Sequence, residues 1–230
     1  MKRILSILLM LLLACSVCTA EPAPDTINAY VSITDGNGAL VMACESISVT
    51  DADADGLLTL NDALLCAHMT AYENGAEGYA FSATEFGLSL NKLWGVENGG
   101  AYGYYLNDAS AWSLLDPVQE GDHVKAYVYT DLMAWSDTYA FFDALHVEGV
   151  VGTPLVLTLS AAGYDAAFNP VTLPVTGAVI TVNGEATDIA TDAEGKAVIT
   201  LDAAGQYTIS ATSDSQTLVA PVCILTLSAQ

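Results

Sequence analysis

The sequence predicts a mainly β protein in two parts: an α+β first domain with one helix, followed by an immunoglobulin-like β-sandwich. Three observations predict it. Only one stretch keeps a helical period, "LNDALLCAHMTAYENG", in which Leu60, Leu64, Ala67, Ala71 and Tyr72 mark one face. From about Gly149 short alternating runs take over, "LVLTLS", "AVITVNG", "KAVITL", "QYTISATS" and "VCILTLS", with Gly, Asp and Asn turns such as "VNGEA" and "DAEGK" between them. The aromatic residues crowd into the region before that point and nearly vanish after it. The first domain is therefore placed at 27–143, the sandwich at 150–230, and the boundary near "HVEGVVGTP".

The chain starts with "MKRILSILLMLLLACSVCTAEPAPD". Two basic residues precede an apolar run from Ile4 to Ala14, the layout of a secretory signal peptide and too short for a transmembrane span. Small residues before Glu21 suit cleavage after Ala20, giving a signal peptide of 1–20. "LLAC" resembles a lipobox, which would make Cys15 a lipidated N-terminus. Both readings place the protein outside the cytoplasm, secreted or on the cell surface.

Charge narrows the partners. Lys2 and Arg3 are two of the five basic residues, and all 27 acidic ones lie beyond residue 20, so the exported part carries −24. Such a chain repels nucleic acid and anionic membranes and concentrates cations. A membrane is reached only through a lipid at Cys15. With 53% apolar residues there is ample material for a core, so the charge is not a sign of disorder.

The stretch "DADADGLLTLNDALL" carries the one ligand-binding pattern. Numbered from Asp51, positions 1, 3 and 5 are Asp51, Asp53 and Asp55, position 6 is Gly56, and position 12 is Asp62. Calcium takes six to eight oxygen ligands, and a twelve-residue loop supplies them at this spacing. Gly56 permits the sharp reversal, Leu57 offers its carbonyl, and Thr59 stands at position 9. Convergent carboxylates without an ion would repel one another. The metal ligands read from the sequence are Asp51, Asp53, Asp55, Leu57, Thr59 and Asp62, with calcium as the cofactor.

A helix from about 61 to 73 follows. Asn61 and Asp62 suit its N-terminus, and Asn74 and Gly75 stop it. Upstream, "ACESISVT" alternates as a strand, so the loop is not a full EF-hand. Its closing Asp resembles that of dockerin modules, but no second loop exists and no cohesin partner is expected.

Further on, "LWGVENGGAYGYYLNDASAW" and "DPVQEGDHVKAYVY" resemble a secreted bacterial family similar to the C-terminal β-domain of transcobalamin and intrinsic factor. The residues carrying the resemblance are Gly103, Tyr104, Tyr105, Leu106 and Asn107, then Val118, Gly121, Asp122 and Val124. Asp108 stands where glycine is common, and Asp tolerates the turn. The resemblance implies a fold for residues 27–143, and no activity.

Trp94, Tyr102, Tyr104, Tyr105, Trp112, Tyr127, Tyr129, Trp135 and Tyr139 concentrate in the same region. An exposed aromatic platform suits a sugar or peptide; alternation also sends half of them inward, where Tyr127 and Tyr129 share a strand face. Cys44, Cys66 and Cys223 read as buried apolar side chains, although Cys44 and Cys66 flank the acidic loop and a cross-link between them is the alternative. His68, His123 and His146 have no motif around them, "GLSLN" at Ser89 is not a nucleophile elbow, and no arginine remains after residue 20. The expected function is an exported, non-catalytic calcium-binding module for adhesion or binding of a protein, glycan or small molecule. The alternative is a secreted hydrolase with a glycosidase-type carboxylate pair.

Overall fold

The computed structural model describes residues 26–229; the expected signal peptide and Cys15 lie outside them. The first unit begins with a hairpin of β1 (Thr26–Thr34) and β2 (Leu40–Thr50). The acidic loop leads from β2 into helix α1 (Leu60–Ala71), close to the predicted span. A 3-10 turn (Gly75–Gly78) and the hairpin β3 (Ala80–Thr84) and β4 (Gly87–Lys92) follow. Then come β5 (Tyr102–Leu106), β6 (Ala109–Ser110) and β7 (His123–Val128), which closes the sheet by running parallel to β1. The sheet order is β2-β1-β7-β5-β6. Leu60, Leu64 and Ala67 of the predicted helix face, joined by Ala63, share a core with Val31, Ile33, Val49, Val124 and Ala126, whereas Ala71, placed on the same face, is exposed.

Two sheets form the second unit. Its strands are β8 (Thr138–Phe142), β9 (His146–Val150), β10 (Leu155–Tyr164), β11 (Pro170–Pro174), β12 (Val179–Val182), β13 (Glu185–Ala190), β14 (Lys196–Ile199), β15 (Gly205–Thr212), β16 (Leu218–Val219) and β17 (Cys223–Ser228). One sheet runs β11-β10-β8-β16 with β14 also on β10, and the other β13-β12-β15-β17-β9. Ala140, Leu157, Leu159 and Ile199 of the first meet Ile180, Ile209, Leu225 and Leu227 of the second in one core. Across the described residues the chain is thus mainly β with a single α-helix, as the sequence predicts.

The sandwich starts earlier than the sequence suggested. Residues 138–142, inside the expected 27–143 span, pair with β10 and β16, and residues 146–150 pair with β17. Their partners lie up to about 80 residues downstream, so no local pattern announces them.

Strands buried on both faces show how the units meet. All six residues of β7 are buried. Val124, Ala126 and Val128 face the helix side, whereas Lys125 and Tyr127 turn toward β8. In β17, Ile224 points away from its own core and is covered with Val222 by Cys44, Tyr30 and Leu145. The second face of a strand is normally wet unless another layer covers it; here each unit is that layer for the other.

Candidate functional site

The acidic loop curls as its spacing demands. Ala54 (φ 61°) and Gly56 (φ 89°) take left-handed conformations, which glycine adopts freely. The turn brings oxygens of Asp51, Asp53 and Asp55 within 4.8 Å of one another. Backbone amides fix the carboxylates: Asp55 N donates to Asp51 Oδ1 (3.0 Å), Gly56 N to Asp51 Oδ2 (2.9 Å) and Leu57 N to Asp55 Oδ1 (2.9 Å). Each carboxylate retains lone pairs beyond these bonds. Burial, with Asp62 and Asp55 nearby, raises the Asp53 pKa, against the lowering by its bond from Asn61.

Thr59 and Asp62 do not join this group. Thr59 is the helix N-cap and Asp62 its N3 residue, each accepting from the other's backbone N–H in a capping box. Asp62 is fully buried. Its Oδ1 accepts from Ala52 N (2.8 Å) and its Oδ2 from Thr59 N (3.0 Å) and Thr59 Oγ1 (2.8 Å). The closing aspartate therefore ties the loop's first turn to the helix. Asn61, which the sequence marked only as a helix starter, donates to Asp53 Oδ2 (2.7 Å) and accepts from buried Tyr79 (2.8 Å), linking the loop to the core.

None of the histidines stands free in a catalytic setting. His68 is buried, with Nδ1 2.6 Å from the Leu64 carbonyl, while Nε2 accepts from Trp94 N (3.0 Å). That pair of bonds requires the neutral ring, and burial lowers its pKa to about 4. His123 sits 2.9 Å from Ser32 Oγ, and burial, Lys125 and His146 take it to about 3. Cys44 Sγ lies 3.5 Å from His146 Nε2, but burial pushes the thiol up to about 12, so the reactive thiolate is suppressed. These nucleophile–histidine pairs join residues 91 and 102 positions apart, which no sequence motif could signal. Cys44, Cys66 and Cys223 are all free and buried, and Cys66 faces Thr50 rather than Cys44.

The aromatics divide. Tyr127 and Tyr139 are buried between the units, and Tyr105 stacks on Tyr139 at 3.4 Å. Trp94 packs on His68 and Tyr72. Trp112 is 96% exposed and Trp135 59%. Trp112 stands beside a cleft of about 730 Å³ between the units, whose walls include Tyr105, Asp108, Phe141 and Tyr164. A larger groove of about 880 Å³, between the β1–β2 turn and the outer face of β12 and β15, has no charged and no aromatic lining residue.

Compared with known proteins, the sequence matches no family model and no curated protein. Among solved structures, the N-terminal four Ig domains of Dscam1 isoform 9.44 align at TM-score 0.26 and 15% identity, covering 64% of this chain and 32% of that one. The tandem Ig repeats of Dlar align at 0.30 and 12%, covering 89% and 96%. The Bacteroides ovatus mixed-linkage glucan utilization locus protein SGBP-B, solved with a mixed-linkage heptasaccharide, aligns at 0.24 and 11%, covering 66% and 35%. The chain spans about a third of the length of the Dscam1 structures. Likeness this slight carries no argument about ligand or role.

Proposed function

We propose that the protein is an exported, non-catalytic binding module whose first unit is stiffened by calcium at Asp51, Asp53, Asp55 and the Leu57 carbonyl. The observation that carries this is the convergence of three carboxylates in a loop already curled by its own amides and anchored to the core through Asn61. Hard oxygen donors at flexible geometry suit calcium, with water completing the shell. Thr59 and Asp62, counted among the ligands from spacing alone, stand behind the site as the cap that holds its frame. The first unit is proposed to share the transcobalamin-like fold, because Asn107 and Asp108 form the tight turn between β5 and β6 and Asn107 ties it to the start of β7.

Several features support a non-catalytic role. The 730 Å³ cleft beside Trp112 and the cleft beside His146 each carry one carboxylate, and the 880 Å³ groove none, so the pair required by a glycosidase is not assembled in them. The raised pKa of the Cys44 thiol and the full burial of Ser32 disfavour nucleophilic chemistry at the two nucleophile–histidine pairs.

The test is thermal unfolding of the mature chain in chelator and in millimolar calcium, with calorimetry of calcium binding. At roughly a hundred times Kd, bound calcium adds about 2.7 kcal/mol. Calcium is expected to raise Tm, and Asp55→Ala to remove that gain. Superimposable melts with no binding heat would make the loop a solvated acidic turn and overturn the calcium reading.

A further inference from the structure

We propose that the cleft between the two units binds a neutral carbohydrate chain, with Trp112 and Tyr164 as its stacking platforms. The inference rests on the binding-module reading and supplies its ligand class and its site.

The cleft exists only because the units dock. Tyr105, Asp108 and Trp112 come from the first unit; Phe141, Tyr164 and Thr172 come from the second. Its volume of about 730 Å³ falls in the range of ligand sites. Trp112 (96% exposed) and Tyr164 (68%) hold large rings in water, where they gain nothing for folding. The backbone that carries Trp112 is held, its N–H donating to Asp116 Oδ2 at 2.7 Å. Aromatic faces stack on the C–H faces of sugar rings, and with two side-chain torsions they lose little entropy in doing so.

Polar groups stand beside them. Asp108 is fixed in a left-handed turn conformation (φ 61°), and its Oδ1 accepts from the Tyr139 hydroxyl at 2.7 Å. A held carboxylate, with Ser110 and Thr172 on the same walls, suits sugar hydroxyls. Trp112 also lines a second cleft of about 430 Å³ with Phe86 and Tyr104. It thus stands on the ridge between two depressions, which favours a chain over a single sugar.

Electrostatics sets the neutrality. Beyond residue 20 the chain has three lysines and no arginine. Lys92 pairs with Glu97, Lys125 is buried, and Lys196 lies away on β14. Among the described residues no cation faces the cleft, so uronates, sulfates and phosphates find no partner against a charge of −24. A peptide adding as a strand is disfavoured too. The strand edges here are two-residue β6 and β11, which has proline at both ends, and proline blocks edge pairing.

The experiment titrates the mature chain with cellohexaose, maltohexaose and xylohexaose, and with hexagalacturonate as the charged control, by calorimetry and tryptophan fluorescence. At least one neutral probe is expected to bind, with affinity falling about tenfold or more in Trp112→Ala and in Tyr164→Ala. Trp135→Ala, an exposed ring on another loop, should bind as the parent does. Binding that survives both cleft substitutions, binding of the galacturonate with equal strength, or no neutral binding at millimolar probe would overturn the assignment. Melting the same samples with and without calcium separates the two readings. Calcium-dependent melting without saccharide binding overturns the cleft alone; saccharide binding without calcium dependence overturns the calcium site alone.

Discussion

Lys125 is the residue whose environment departs most from its chemistry. It is fully buried between the units, its Nζ donating to the Ala140 carbonyl (2.9 Å) and lying 4.7 Å from the centre of the Tyr139 ring. Burial brings its pKa from 10.5 to about 7, against the attraction of Asp108. The unfolded chain therefore binds a proton that the folded one sheds, so this residue makes stability rise with pH from about 7 toward 10.5. Cys44, Cys223 and the buried tyrosines, all pushed upward, work the other way once their unfolded forms titrate, which leaves about pH 7 to 9 as the clean window. A tenfold difference in proton affinity between the folded and unfolded chains is worth about 1.4 kcal/mol. Lys125→Met should therefore raise Tm at pH 7 and flatten the rise of stability toward pH 9. Chemical denaturation at a series of pH values would show it; parallel profiles for parent and variant would count against a neutral Lys125. Asp55 and Asp62 give a second contrast. Asp55→Ala should lower stability in calcium and change it little in chelator, where loss of an exposed acceptor for Leu57 N is offset by relief of carboxylate repulsion. Asp62→Ala should cost about 1–3 kcal/mol in chelator as well, because it strips the acceptor from the buried Thr59 amide and from Ala52 N and breaks the capping box.

At the scale of elements, the turns appear where the sequence put them, whereas the helix cap is Thr59, which the loop spacing assigns to the metal. Asn107 (φ 51°) and Asp108 (φ 61°) take the paired left-handed conformations of a two-residue hairpin turn. Gly103 is required on β5, because a Cβ there would run into the Tyr127 ring from β7. Helix α1 starts at a capping box, a signature of two side chains three residues apart. What the element scale does not contain is partnership. β8 reads as a strand of either unit, since alternate faces are Tyr139 and Phe141 toward the interface and Ala140 and Phe142 toward the sandwich core. Its assignment is testable by truncation. A fragment starting at Asp137 keeps every strand of both sheets and should unfold cooperatively. One starting at Gly152 lacks β8 and β9, leaves β10 and β17 unpaired on one side, and should not. Circular dichroism melts would decide, and cooperative unfolding of the shorter fragment would show that the two strands are dispensable.

For the whole molecule, the sequence by itself determined the class of fold, the helix after the acidic loop, the turns and the curl of that loop. These depend on periodicity, on left-handed turn residues and on contacts a few positions apart, all written in adjacent letters. Only the tertiary structure decided where one unit ends, which aromatics are core and which are surface, and which aspartates converge. Asp62 sits at the metal-binding spacing, yet the helix end claims it, because the Ala52 amide and the buried amide and hydroxyl of Thr59 compete for the same oxygens. Trp112 and Tyr127 look alike in the sequence, but one stands in water and the other lies under the second unit. The polar contacts of Ser32 with His123 and Cys44 with His146 span about a hundred residues. Burial is a property of what packs against a face, and that partner is chosen by the global arrangement of strands rather than by the strand's own pattern.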